Sequence, residues 1–151
     1  MKLIDFHCDT FWAMERQVPL CVDIDKLRAV DSLAQFFACF IYMDDFQGEN
    51  RYTKGYRHAL DMLRFAKDYI GSVADDMALV CDYETLLHNQ KEEKISAFLT
   101  IEEGGILEGD MGRLDCLYNE GVRLMTLLWN YENCIGYPNS RDEHIMNKGL
   151  K

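Results

Sequence analysis

Residues 34–43, AQFFACFIYM, contain one strongly polar side chain, Gln35. A run of this length is too short to cross a bilayer as a helix. Read as a strand, it presents apolar side chains to both of its faces. Such a strand is stable only where both sides of its sheet are covered, which is the situation of a parallel sheet flanked by helices. The rest of the chain repeats the theme. Residues 3–8, 95–101 and 122–129 read as further strands, and 78–81 is a short apolar piece. Between them, residues 53–72 carry Tyr56, Leu60, Leu63, Ala66 and Ile70 at spacings of three and four, which predicts an amphipathic helix ending near Gly71. Asp82 is placed to cap a helix over 83–91, and Gly121 to stop one over 111–119. Residues 23–30 read as a short helix or turn, 104–109 as a glycine-rich loop, and 130–151 as loop. This alternation predicts an α/β fold with about four parallel strands, in one domain spanning 1–151.

Composition narrows the partners. The net charge of −10 disfavours nucleic acid and anionic membrane surfaces. There is no apolar run of about 18 residues to span a membrane. The six cysteines are scattered without a C-x-x-C pair, which reads as reduced, mostly buried thiols. The start, Met-Lys followed directly by a strand, has no leader pattern, so a cytoplasmic location is expected.

Two strand ends carry the chemistry. His7 and Asp9 lie two residues apart, so an extended chain aims both the same way, with Asp5 one step earlier on that face. Glu102 follows a strand directly and precedes Glu103, Gly104 and Gly105. One imidazole and two carboxylates at strand ends suit a divalent cation, above all Zn²⁺. The plainer reading is that Asp9 starts a turn, His7 is a hydrogen-bonded core residue, and Glu102 and Glu103 are solvated charges. Trp129 and Asn130 close the last strand and either line a pocket or pack on a loop. His58, His88 and His144 read as surface residues. No G-x-S-x-G, P-loop, G-x-G-x-x-G or H-E-x-x-H motif is present, which removes serine-hydrolase, kinase and dinucleotide-binding readings.

Three segments together resemble the N-terminal half of the membrane (renal) dipeptidase family of zinc metallopeptidases. Residues 5–9, DFHCD, look like the family's opening D-x-H-x-D. Ile101-Glu102, then Gly104, Leu107, Leu114, Tyr118 and Gly121-Val122-Arg123, look like its signature, with Glu103 where Gly is more usual. Residues 124–137 look like the L-T-x-x-x-N segment of bacterial members. The resemblance implies a (β/α)₈ barrel of which this chain carries about the first half. It implies a binuclear zinc site, with His7 and Asp9 on the first ion and Glu102 bridging both. It implies a small dipeptide as substrate, with Trp129 standing where the family places a substrate-binding His. The histidines of the second zinc, and the later Arg and Asp that act on substrate, have no counterpart here. No catalytic residue is therefore assigned in this half. The chain is expected to form at most one good zinc site and to be inactive alone. Its open barrel edges are expected to favour self-association. Two other readings stand beside this one: a non-catalytic binding module that keeps half a metal site, and an amidohydrolase-like barrel. The latter usually opens with H-x-H rather than His7-x-Asp9.

Overall fold

The computed structural model describes residues 2–146 and 148–151. Its elements run β1 (Leu3–Cys8), α1 (Thr10–Glu15), α2 (Ile24–Ala29), β2 (Ser32–Phe40), α3 (Arg51–Ser72), β3 (Met77–Leu79), α4 (Tyr83–Lys91), β4 (Ile95–Glu102), α5 (Met111–Asn119) and β5 (Val122–Thr126). Short 3₁₀ turns follow β2 at Met43–Asp45 and β4 at Gly104–Leu107.

Every strand pairing is parallel. β2 lies between β1 and β4, and the other edge of β4 is shared. β3 takes its first half, Ile95–Ala97, and β5 takes Leu99–Glu102. The fifth strand comes from the short apolar piece expected around 78–81. Arg123 joins β3 and β5 where they meet, its guanidinium donating to the carbonyls of Cys81, Tyr118 and Val122 at 2.8 Å each.

One face of the sheet packs on helices. Phe37, Cys39 and Ile41 lie in the apolar core cluster with Leu99, Ile101 and the α3 residues Ala59, Met62, Leu63, Ala66 and Ile70. Each large side chain fully buried here, such as Leu99 or Ile101, contributes about 1.5–3 kcal/mol. The buried stripe of α3 has Leu63, Ala66 and Ile70 as expected and departs from expectation only in the helix's N-terminal half. Gly55, Ala59 and Met62 face the sheet, and Tyr56 and Leu60 stay half-buried. The reason is close approach: a Cβ on Gly55 would sit 3.2 Å from both Ile41 Cγ2 and Met43 Sδ, so small residues let α3 settle on the strands. The opposite face carries a row of rings, with Phe6 stacked on Phe36 at 4.8 Å and Phe36 on Phe98 at 4.3 Å.

Asp82 caps α4 as expected, its carboxylate accepting from Thr85 N at 2.7 Å. Several boundaries differ. β2 runs Ser32–Phe40 rather than 34–43, its expected end being taken by the turn at Met43–Asp45, and β3 runs Met77–Leu79 rather than 78–81. α1 follows β1 with a single residue between, where a turn was expected. β5 stops at Thr126 rather than at Trp129, because Leu127 leaves the ladder to pack against Gly104.

Candidate metal centre

In parallel β/α folds the C-terminal ends of the strands gather the reactive groups. β1 and β4 are separated by β2, so convergence of their side chains needs a local device. The register of β1 against β2 supplies it. Asp5 pairs with Gln35 and Cys8 with Phe37, so three steps on β1 match two on β2. A bulge of this kind re-aims one side chain. Phe6 and His7 both reach the face that holds Phe36 and Glu102, and Cys8 turns back into the helix-side core. The simple period of two therefore fails here. His7 reaches the expected face, and Asp5 does not accompany it. Asp5 Oδ1 instead accepts the His7 backbone N–H at 3.3 Å.

The result is one group of three. His7 Nε2 lies 3.3 Å from Asp9 Oδ1 and 3.5 Å from Glu102 Oε2, and one donor atom from each residue falls within 4.8 Å of the other two. Asp9 stands at the N-cap position of α1, yet its side chain makes no cap hydrogen bond. The expected turn-starting role is thus filled by its backbone, and the carboxylate stays with His7. The side chains of His7 and Asp9 are half-exposed, and that of Glu102 is 14% exposed. Burial raises the Glu102 pKa; His7 opposes that rise, and the nearby charges of Asp9 and Glu103 add to it. Two carboxylates and one imidazole leave an excess of negative charge facing a shared point. One N and two O donors are a set that a divalent hydrolytic ion accepts, so these residues fit the metal that the resemblance implies. Cys8 lies outside the group: it turns into the helix-side core, burial pushes its thiol up to about 11, and its Sγ accepts from Thr10 Oγ1.

Glu102 and Glu103 have opposite environments. Glu103 is fully buried, which overturns the reading of it as a solvated charge. Its Oε1 accepts from Gly105 N and from Asn133 Nδ2, both at 2.7 Å, and its Oε2 has no partner among the described residues. Burial raises its pKa, against the hydrogen bonds from Asn133 and Gly105. It also adopts φ +123°, a conformation that suits glycine. That explains physically why Gly is the more usual residue there. Asn133 belongs to the aromatic and amide segment 129–133 after the last strand, but its burial and its bond to Glu103 have no signal in the sequence. It is buried in a stretch whose composition reads as loop.

Trp129 stands beside the group. Its ring packs edge-on against Phe40 at 4.9 Å and near Tyr42 at 5.9 Å, and Phe40 is the register partner of Glu102. Asn130 is exposed one residue further on. On the other side, His7, Asp9, Trp12, Val18, Pro19 and Val22 help line a cavity of about 440 Å³. The three histidines expected at the surface stay outside the group; His58 Nε2 lies 3.4 Å from Glu15 Oε2.

The fold and the site define a parallel β/α protein with a histidine–carboxylate group at its strand ends that could hold a metal ion. The chain belongs to the membrane dipeptidase family (Peptidase family M19), which it matches over residues 1–151. Members of that family are metal-dependent dipeptidases. Among solved structures, it is similar to a metallo peptidase from Rhodobacter sphaeroides liganded with a phosphinate mimic of the dipeptide L-Ala-D-Ala. The TM-score is 0.79 at 15% identity, over 100% of this chain and 53% of that one. It is similar to the dipeptidase AC, a metallo peptidase of family M19, with TM-score 0.78 at 16% identity over 100% of this chain and 50% of that one. It is also similar to the probable dipeptidase PvdM from Pseudomonas aeruginosa, with TM-score 0.69 at 13% identity over 79% and 30%. At such identities the likeness is one of fold. It bears out the (β/α)₈-type architecture, of which this chain covers part: the chain spans between 30% and 53% of the length of these structures. None of the curated proteins compared matches it.

Proposed function

We propose that this chain supplies the first half of a binuclear zinc site that hydrolyses dipeptides. The observation that carries the reading is the convergence of His7, Asp9 and Glu102 from two strands that are not neighbours. His7 and Asp9 would hold one ion, and Glu102 would be shared with a second. When bound, the metal supplies Lewis acidity toward the peptide carbonyl and lowers the pKa of water. The protein's own contribution is placement. The β1 bulge aims His7, the unused cap of α1 leaves Asp9 free, and the end of β4 holds Glu102 largely out of water. Trp129 and Phe40 form an aromatic wall where a dipeptide side chain would lie, and exposed Asn130 would meet its polar end.

Among the described residues this is the one cluster of at least three potential ligands, and it offers an ion three donors. That number favours a second reading for the 151-residue chain alone: it binds one ion and does not turn over. The test is to load the purified chain with Zn²⁺ and assay a dipeptide ending in a D-residue, with His7→Ala as control. Turnover lost in His7→Ala supports catalysis by this chain. One bound ion without turnover supports the binding reading, and no bound ion in the wild type refutes both.

A further inference from the structure

Glu103 combines two unfavourable features. It keeps a side chain at φ +123°, and it buries a carboxylate with one oxygen unpartnered among the described residues. What it holds in return is Asn133. The Asn133 amide uses all its capacity. Nδ2 donates to Glu103 Oε1 at 2.7 Å and to Leu127 O at 3.0 Å, and Oδ1 accepts from the N–H groups of Ile135 at 2.8 Å and Gly136 at 3.4 Å. These bonds gather 127–136 into a closed turn, and the link to Glu103 fastens that turn to the end of β4. The backbones confirm how tight the seat is. A Cβ on Gly104 would lie 2.7 Å from Leu127 O, and one on Gly105 would lie 2.5 Å from Glu103 Oε1 and 2.7 Å from Asn133 Cβ. Trp129 is carried by this turn.

We propose that Glu103 is a positioning residue: through Asn133 it fixes the 127–136 turn, and so sets where Trp129 stands beside the His7–Asp9–Glu102 group. The consequence for dipeptide binding rests on the function proposed above; the placement of Trp129 does not. Other ties hold the turn from outside: Tyr52 Oη donates to Glu132 O, and Lys151 donates from N to Ile135 O and from Nζ to Asn133 O, each at 2.9 Å. Removing the Glu103 side chain therefore loosens the turn without releasing it.

The test uses Trp12→Phe as background, which leaves Trp129 as the only tryptophan. Glu103→Gly is the main variant, since glycine suits φ +123° and the backbone is spared strain. Glu103→Gln keeps an oxygen able to accept both donors, and Asn133→Ala breaks the same tie from the other end. In Glu103→Gly, acrylamide quenching of Trp129 is expected to rise about twofold as the turn opens locally. Exchange of the Ile135 and Gly136 amides is expected to quicken about tenfold, the effect of one buried hydrogen bond. Binding of a phosphinate dipeptide mimic to the metal-loaded protein should weaken about as much, and divalent-cation affinity should stay within about twofold. Glu103→Gln should match the background, and the double variant Glu103→Gly/Asn133→Ala should add nothing to either single change. Unchanged quenching and exchange in Glu103→Gly would overturn the proposal, as would a Glu103→Gln variant that behaves like Glu103→Gly. Failure of the wild-type protein, with Trp12 in place, to bind a cation or the mimic would count against the proposed function alone, because quenching and exchange still decide the role of Glu103.

Discussion

Three glycines rank the tightness of this fold by what a single methyl group would meet. Gly71 lies within α3, and an added Cβ there meets nothing within 4 Å. Replacing it with alanine removes backbone freedom from the unfolded chain and improves helix propensity, so Gly71→Ala should stabilise by about 0.5–1 kcal/mol. At Gly55 the methyl would lie 3.2–3.3 Å from Ile41 Cγ2, Met43 Sδ and Ile106 Cγ2. All three are ends of side chains that can give by a few tenths of an ångström, so the gain and the crowding should nearly cancel. At Gly104 the methyl would lie 2.7 Å from Leu127 O and 3.0 Å from Leu127 Cα. Those are backbone atoms, and Leu127 is held in turn by Asn133. Something must shift, and overpacking of this kind costs about 1–3 kcal/mol. For a chain of this size each kcal/mol moves Tm by about 2–4 °C. Thermal melts followed by circular dichroism should therefore order the proteins Gly71→Ala, then wild type and Gly55→Ala together, then Gly104→Ala several degrees lower. A Gly104→Ala protein that melts with the wild type or above it would refute the packing of the 127–136 turn on the end of β4.

Leu99→Ala should cost about 3–5 kcal/mol in urea titration, because Leu99 is wholly buried at the centre of β4 with β2 and β5 on either side. Trp129→Ala should weaken binding of a dipeptide mimic by about tenfold, the worth of its aromatic contacts, with cation affinity unchanged by calorimetry. Asp82 gives a pH prediction. Hydrogen bonds from the backbone N–H and the side chain of Thr85 hold its carboxyl below the usual range in the folded chain. A depressed folded pKa contributes stability that is present above the unfolded value, about 3.9, and is lost as pH falls through the folded one. Asp82→Asn, which still caps but does not titrate, should show a shallower loss of Tm between about pH 5 and 3; an identical acid limb in both proteins would contradict the capping geometry.

The strands and most helices were legible because their signals are local and redundant. The period of α3, the cap at Asp82 and the doubly apolar run of β2 each point to one element, and the structure has them. α1 was not legible, since six residues carry too little periodicity and Asp9 gives it no side-chain cap. The C-terminal part of the α3 face was legible from Leu63, Ala66 and Ile70; its N-terminal part was not, because small residues at Gly55 and Ala59 let the helix approach the sheet. His7, Asp9 and Glu102 could be singled out as donors at strand ends, and the structure brings them together. The means by which His7 gets there, a bulge in a β1–β2 register, depends on a partner 30 residues away and leaves no trace in DFHCD. Glu103 and Asn133 were hidden for the same reason. An acid among acids and an amide in a loop look solvated until the contact between them, 30 residues apart in sequence, is seen.

The most direct measurement is a calorimetric titration of the chain with Zn²⁺, beside His7→Ala, Asp9→Ala and Glu102→Gln. Structural zinc is worth about 10–16 kcal/mol over four ligands, so losing one ligand should weaken binding by about a hundredfold or more. One ion per chain is expected in the wild type, and that loss in each variant. Equal zinc binding in the wild type and all three variants would mean that this trio is not the place where the metal sits.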